Sequence, residues 1–179
     1  MWSFATVTAA VALLFFQGSP PPPDEVPQFT ADGLMQRPSG FDAWVMVGTS
    51  TGLSYNPAVN AQPGAGPGMF HNVYLQPWAY RAFKQTGQFP EGSMFVLTFF
   101  EPVRDAAPAR AGFYPGDRLP TFEVHVKRKG LDQSGWAFFG FGKDDQTAGQ
   151  VPTSASCYSC HAKEAKTDHV FTQFYPALR

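Results

Sequence analysis

Neither sign of charge prevails in this 179-residue chain: 13 Lys and Arg stand against 14 Asp and Glu, a net charge of -1. Composition therefore offers no basic surface, and no nucleic-acid partner is expected. Long hydrophobic runs are missing as well. The apolar stretch at residues 11–16 falls short of the about 20 residues that a membrane-spanning helix needs. Glycine and proline, 17 of each, are frequent but stay below the range of low-complexity disorder. Cysteine is nearly absent, with two in the whole chain. Aromatic residues are what abound: 18 Phe, 6 Tyr and 4 Trp. So many would be a liability in a disordered chain, and the length suits one domain with a real core. A compact, aromatic-cored domain with long turn-rich connections is expected.

The two cysteines are not scattered. They fall in Cys157-Tyr158-Ser159-Cys160-His161, the spacing of a c-type haem attachment site. Two thiols three residues apart can add to the two vinyl groups along one porphyrin edge, and the next residue, His161, then lies beneath the iron as an axial ligand. The same residues admit other readings. A redox or structural disulfide would explain the cysteines and leave His161 to coincidence. A structural zinc site needs four ligands, and only His169 is near enough in sequence to complete the set. That C-x2-C-H-x7-H spacing fits no usual zinc pattern.

Residues 1–18 are uncharged up to and through the apolar run, which suits the core of a secretory signal peptide or a short N-terminal anchor. No Lys or Arg precedes the run and no clean A-x-A site follows it. Export, to the periplasm or beyond, agrees with the haem reading, because c-type haem is normally attached outside the cytoplasm. Residues 19–30, opening on Ser19 and four prolines, read as an extended linker, and residues 31–179 as the haem domain.

Within that domain the pattern predicts mostly strands. Residues 44–47 and 70–75 are short apolar or alternating runs, and residues 93–100 form an aromatic run without Gly or Pro. Residues 121–127 alternate strictly: Phe122, Val124 and Val126 face one way, and Glu123, His125 and Lys127 face the other, a pattern expected of a solvated face. Residues 135–141 give a last aromatic strand. Pro77 can open a helix that Gly87 closes. Residues 53–68 are expected to loop, and residues 101–120, broken by Pro102, Pro108, Pro115 and Gly116, to be irregular. Good helix formers after His161 predict a haem-bearing helix in the tail, reaching toward residue 174. The fold class is thus α+β and mainly β, an antiparallel sheet with a few helices.

Taken together, several stretches resemble the cytochrome P-460 family: Trp44-Val45-Met46-Val47-Gly48, Phe70-His71-Asn72-Val73-Tyr74, residues 84–92, Gly135-Trp136-Ala137-Phe138, the CxxCH motif, and residues 167–176. The resemblance implies an antiparallel sheet domain carrying one covalently attached haem c, commonly as a homodimer. It implies that Cys157 and Cys160 carry the haem, with His161 as the only protein ligand and the opposite face open. Two kinds of member are implied. The P-460 enzymes oxidise hydroxylamine and link a strand lysine to the haem ring; the cytochromes c′-beta lack that link and bind small gases such as NO and CO. Aligned on Phe89-Pro90-Glu91-Gly92, the lysine position falls at about Leu97, and no lysine occurs from Gln85 to Val126. The resemblance therefore points to a five-coordinate haem with an apolar distal pocket formed by Phe70, Phe95, Leu97 and Phe99. Glu123 stands on a strand resembling one that bears a glutamate in the family, where it could act as a general base. Oxidation of hydroxylamine or NO, and plain electron transfer to a partner with a sixth ligand such as His125, are the alternatives. His71 is expected to be an ordinary strand residue, and His169 to pack or hydrogen-bond in the tail helix.

Overall fold

The computed structural model describes residues 21–22, 25–53, 66–104, 107–108 and 111–179. The leader expected at residues 1–18 and most of the loop expected at 53–68 lie outside them. The elements run β1 (Met35–Gln36), β2 (Val45–Thr51), β3 (Phe70–Leu75), α1 (Pro77–Thr86), β4 (Met94–Arg104), β5 (Phe113–Lys127), β6 (Trp136–Phe141), β7 (Thr147–Ala148) and α2 (Ser156–Glu164). Strands β2 to β6 pair in chain order as one antiparallel sheet, and β1 pairs with β7 beside it. The architecture is the α+β, mainly β class that the alternating segments predicted. Among the described residues no helix is long and apolar enough to cross a membrane.

Each strand alternates, so the sheet has two faces, and both are covered. On one face Met94, Val96, Phe122, Val124, Val126, Ala137, Phe139 and Phe141 pack under the N-terminal residues Met35, Phe41 and Trp44. Phe29 meets Phe139 edge-on at 5.8 Å. The carbonyl of Glu25 accepts from Gln76 Nε2 and Trp78 Nε1. Residues 25–30 are therefore tied to the folded body.

On the other face α1 lies across the sheet. Pro77 occupies the first turn, where a missing N–H costs nothing, and Gly87 ends the helix at φ 71. Ala79 and Phe83 turn inward onto Val47, Val73, Leu75, Phe89, Phe95 and Trp136. Phe83 stacks on Phe89 at 4.1 Å, and Phe89 meets Phe95 and Trp136 edge-on. Such aromatic pairs contribute about 0.5–1.5 kcal/mol each beyond their buried area. The chain end closes the rest of this face through Val170 and Leu178, with Tyr175 packed against them. Tyr175 comes so near β2 that a Cβ on Gly48 would stand 2.5 Å from its Cδ1.

Three expectations are corrected. Residues 101–120 are not irregular throughout: β4 runs on to Arg104 and β5 begins at Phe113. Pro102 and Pro115 face each other there, beside register shifts at Thr98–Phe100 and Phe100–Pro102, which is where a sheet tolerates proline. The tail helix begins before His161 and stops at Glu164, with Ala165 already extended. Finally, Glu123, His125 and Lys127 do not share a solvated face. Glu123 is exposed as expected, but the C-terminal cover leaves His125 buried and Lys127 half-buried.

Candidate haem site

The second face is not filled completely. Between the sheet and the C-terminal segment lies a cavity of about 520 Å³, within the roughly 300–1,000 Å³ usual for small-molecule and cofactor sites. Its sheet wall is built by alternation: His71 and Val73 from β3, Phe95 and Leu97 from β4, Glu123 and His125 from β5, Phe138 from β6. Cross-strand register sets them side by side, with Val73 opposite Leu97, and Leu97 opposite Glu123. Phe171, Phe174 and Tyr175 form part of the opposite wall, and His161 closes one side.

His161 sits in α2 with its ring held on several sides. Phe171, Phe138 and His125 approach it at centroid distances of 4.4, 4.7 and 4.8 Å. Its Nδ1 lies 2.7 Å from the carbonyl oxygen of His169. A carbonyl only accepts, so Nδ1 carries the proton and Nε2 keeps its lone pair, the tautomer that a metal-binding imidazole needs. Burial lowers the His161 pKa, against a smaller upward pull from that carbonyl, and so also favours the neutral ring. His169 does not lie in the tail helix, which ends at Glu164. After Ala165 the chain folds back, and His169 meets His161 through its backbone.

Cys157 and Cys160 are half-buried and not joined to each other. One helical turn apart in α2, they share a face of the helix. Among the described residues no cluster of His, Cys, Asp or Glu could hold a metal ion by itself, so the zinc reading finds no support.

His125 is buried on the cavity wall. It stacks flat on Phe138, 4.2 Å away at 4°, and leans on Trp136 at 4.3 Å. Burial foremost, then the neighbouring His161 and His169, hold its pKa well below the ordinary value. Its Nε2 is buried without a hydrogen-bond partner. Two imidazoles on opposite sides of one metal, each at the common distance of about 2.0–2.1 Å, would keep their centroids roughly 6 Å apart. At 4.8 Å, His125 stands beside His161, not across from it.

The candidate wall residues divide. Phe95, Leu97 and Glu123 line the cavity. Phe70 does not, because it lies one residue out of phase and shares the β3 face of Asn72 and Tyr74. Phe99 has the right parity but lies beside the register shift; it packs edge-on against His71 at 5.1 Å and backs the wall instead of forming it. His71, which sequence reasoning left as an ordinary strand residue, takes the wall position. Its signal was present, since His71 alternates with Val73 and Leu75. The wall is therefore not purely apolar. Glu123 keeps an exposed surface because it faces the open cavity, yet enough protein surrounds it that desolvation raises its pKa. Desolvation also lowers the pKa of His71. None of the lysines reaches the cavity wall among the described residues.

The chain has no match close enough to count as a relative among curated proteins. Residues 38–172 match the family model for Cytochrome P460; that stretch is most of the chain, and the protein belongs to the cytochrome P460 family, whose members are haem proteins.

Proposed function

We propose that the protein carries one haem c, attached through Cys157 and Cys160 and ligated by His161 alone, and that it binds a small neutral gas such as NO or CO. The residues fit the group. The cavity is of cofactor size, an imidazole at its edge has an unprotonated Nε2, and a buried nitrogen of His125 on its wall lacks a protein partner. Haem supplies the iron coordination position at which such a gas is held. The chain's own part is to fix His161 from behind, to line the cavity with Phe95, Leu97 and Val73, and to keep bulk water from the apolar wall. A wall that is mainly apolar, though it includes His71 and Glu123, favours small neutral ligands over charged ones.

The observation that carries this reading is Leu97 on the wall, opposite Glu123, where the resemblance would put the cross-linking lysine of the enzymes. Leucine has no nucleophilic nitrogen. Lys127, the nearest lysine in the sheet, spends its ammonium on the Phe89 carbonyl and on Asp168. One observation favours a second reading, oxidation of hydroxylamine or NO: Glu123 faces the cavity with a raised pKa and could accept a proton from a substrate there. The absorption spectrum of the purified holoprotein separates the two. A high-spin c-type spectrum that changes on adding NO or CO supports gas binding. A ferrous Soret band displaced far to the red means a cross-linked haem and the hydroxylamine enzyme. A low-spin spectrum indifferent to both gases refutes both and leaves electron transfer. Haem c attachment also accords with an exported, periplasmic or secreted protein, and the family resemblance with a homodimer, which light scattering on the pure protein would test.

A further inference from the structure

The His169 carbonyl that holds His161 belongs to an unusual turn. Asp168 and His169, at φ 48 and 59, are the two non-glycine residues with positive φ among those described. Side chains avoid this region, and two in succession persist only where the surroundings force them. Thr167 and Val170 close the turn with backbone hydrogen bonds in both directions, and Thr172 Oγ1 donates to Thr167 Oγ1 at 2.9 Å. The stronger restraint comes from the sheet. Asp168 Oδ2 lies 2.6 Å from Lys127 Nζ, and Asp168 Oδ1 accepts from Trp136 Nε1 at 3.1 Å. Both donors are themselves fixed. Lys127 Nζ also donates to the Phe89 carbonyl at 2.8 Å, and Trp136 is wholly buried. A carboxylate holding two anchored donors is a rigid grip.

We propose that Asp168, gripped by Lys127 and Trp136, is a positioning residue: it holds the left-handed turn so that the His169 carbonyl sets the orientation and basicity of His161, and through them the reduction potential of the haem. The inference rests on the haem reading above. A strong Nδ1–H···O=C bond makes the imidazole a better electron donor and so favours the ferric state. Loosening the turn weakens that bond and favours the ferrous state.

The test uses purified holoprotein carrying Asp168→Gly, Asp168→Asn, Lys127→Met or Lys127→Arg. Potentials are read by spectroelectrochemical titration and the ferrous iron–histidine stretch by resonance Raman. Asp168→Gly relieves the backbone strain while removing the grip, so a purely structural role would leave its potential unmoved. Asp168→Asn keeps the shape and tolerates positive φ, and it carries the test if the glycine variant does not fold. Loss of an outer hydrogen-bond partner typically costs about tenfold, here in the ferric-to-ferrous ratio, which is about 59 mV for a one-electron couple. We expect Asp168→Gly to raise the potential by about that much and to lower the stretching frequency. Asp168→Asn and Lys127→Met should shift both less, and Lys127→Arg should stay at the wild-type values. Haem-loaded variants with unshifted potential and stretch would overturn the inference alone. A wild type without c-type haem would overturn the reading beneath it.

Discussion

Phe95 and Leu97 both face the cavity, yet they do different work, and Phe95→Ala exposes the difference. The Phe95 ring is only 4% exposed. It meets Phe89 edge-on at 5.3 Å and lies about equally far from Trp136 and Tyr175, at 6.0 and 6.3 Å. It therefore joins the segment that follows α1, β6 and the C-terminal cover, and also lines the cavity. Replacing a buried Phe by Ala costs about 3–5 kcal/mol, less where the site can collapse or is already open on one side. The open cavity edge puts Phe95→Ala near the lower figure, about 3 kcal/mol. At about 2–4 °C per kcal/mol for a domain of this size, Tm falls by about 6–12 °C. Urea denaturation of the holoprotein, with the midpoint and slope fitted together, gives the same quantity independently. Leu97 is only half-buried, so Leu97→Ala should lose about 1–2 kcal/mol while changing the rate of CO association more than Phe95→Ala does. A loss below about 1 kcal/mol for Phe95→Ala, or a larger loss for Leu97→Ala, would refute the assignment of Phe95 to the core and Leu97 to the cavity wall.

Three further outcomes follow from named contacts. Burial raises the Glu123 pKa, so the native state prefers the protonated acid. Wild-type stability should then fall as pH rises from below the ordinary glutamate range through the folded pKa. Glu123→Gln, which cannot ionise, should flatten that slope and match the wild type in acid; identical pH profiles on thermal melting would contradict it. Cys157→Ala with Cys160→Ala should leave no haem bound after acid–acetone extraction, and normal retention would end the attachment assignment. A Cβ at Gly48 would stand 2.5 Å from Tyr175 Cδ1, so Gly48→Ala should cost about 1–3 kcal/mol as overpacking and loosen the C-terminal cover. Faster amide exchange around Val170 and Tyr175 would show it, and unchanged protection would not fit.

Much of this molecule is local, and the local part was legible. The CxxCH spacing is a statement about five consecutive residues. The helix from Pro77 to Gly87 is marked at both ends by residues with restricted or permissive φ. Alternation in residues 121–127 fixed which side chains share a face, because a strand has a period of two whatever lies around it. The same rule places His71 with Val73 and Leu75, and Phe70 away from them. What alternation could not tell was what covers each face. Glu123, His125 and Lys127 read as a solvated side because they are polar. His125 and Lys127 are covered because the tail folds back over them, and Lys127 helps to pin that tail; Glu123 alone stays exposed. The prolines at 102 and 115 read as breakers because each is costly in a regular ladder, and the register shifts that accommodate them need two strands at once. The backbone contact between His169 and His161 depends on a turn held in a disfavoured region by Asp168, Lys127 and Trp136, residues far apart in the chain. Spacing and periodicity are properties of neighbours, so the CxxCH motif, most strands of the main sheet and the parity of their side chains are legible in the chain alone. Which face encloses the cavity, and what steadies His161 beside it, arose only from long-range packing, where the gain from contacts between distant residues outweighs the local preferences of each.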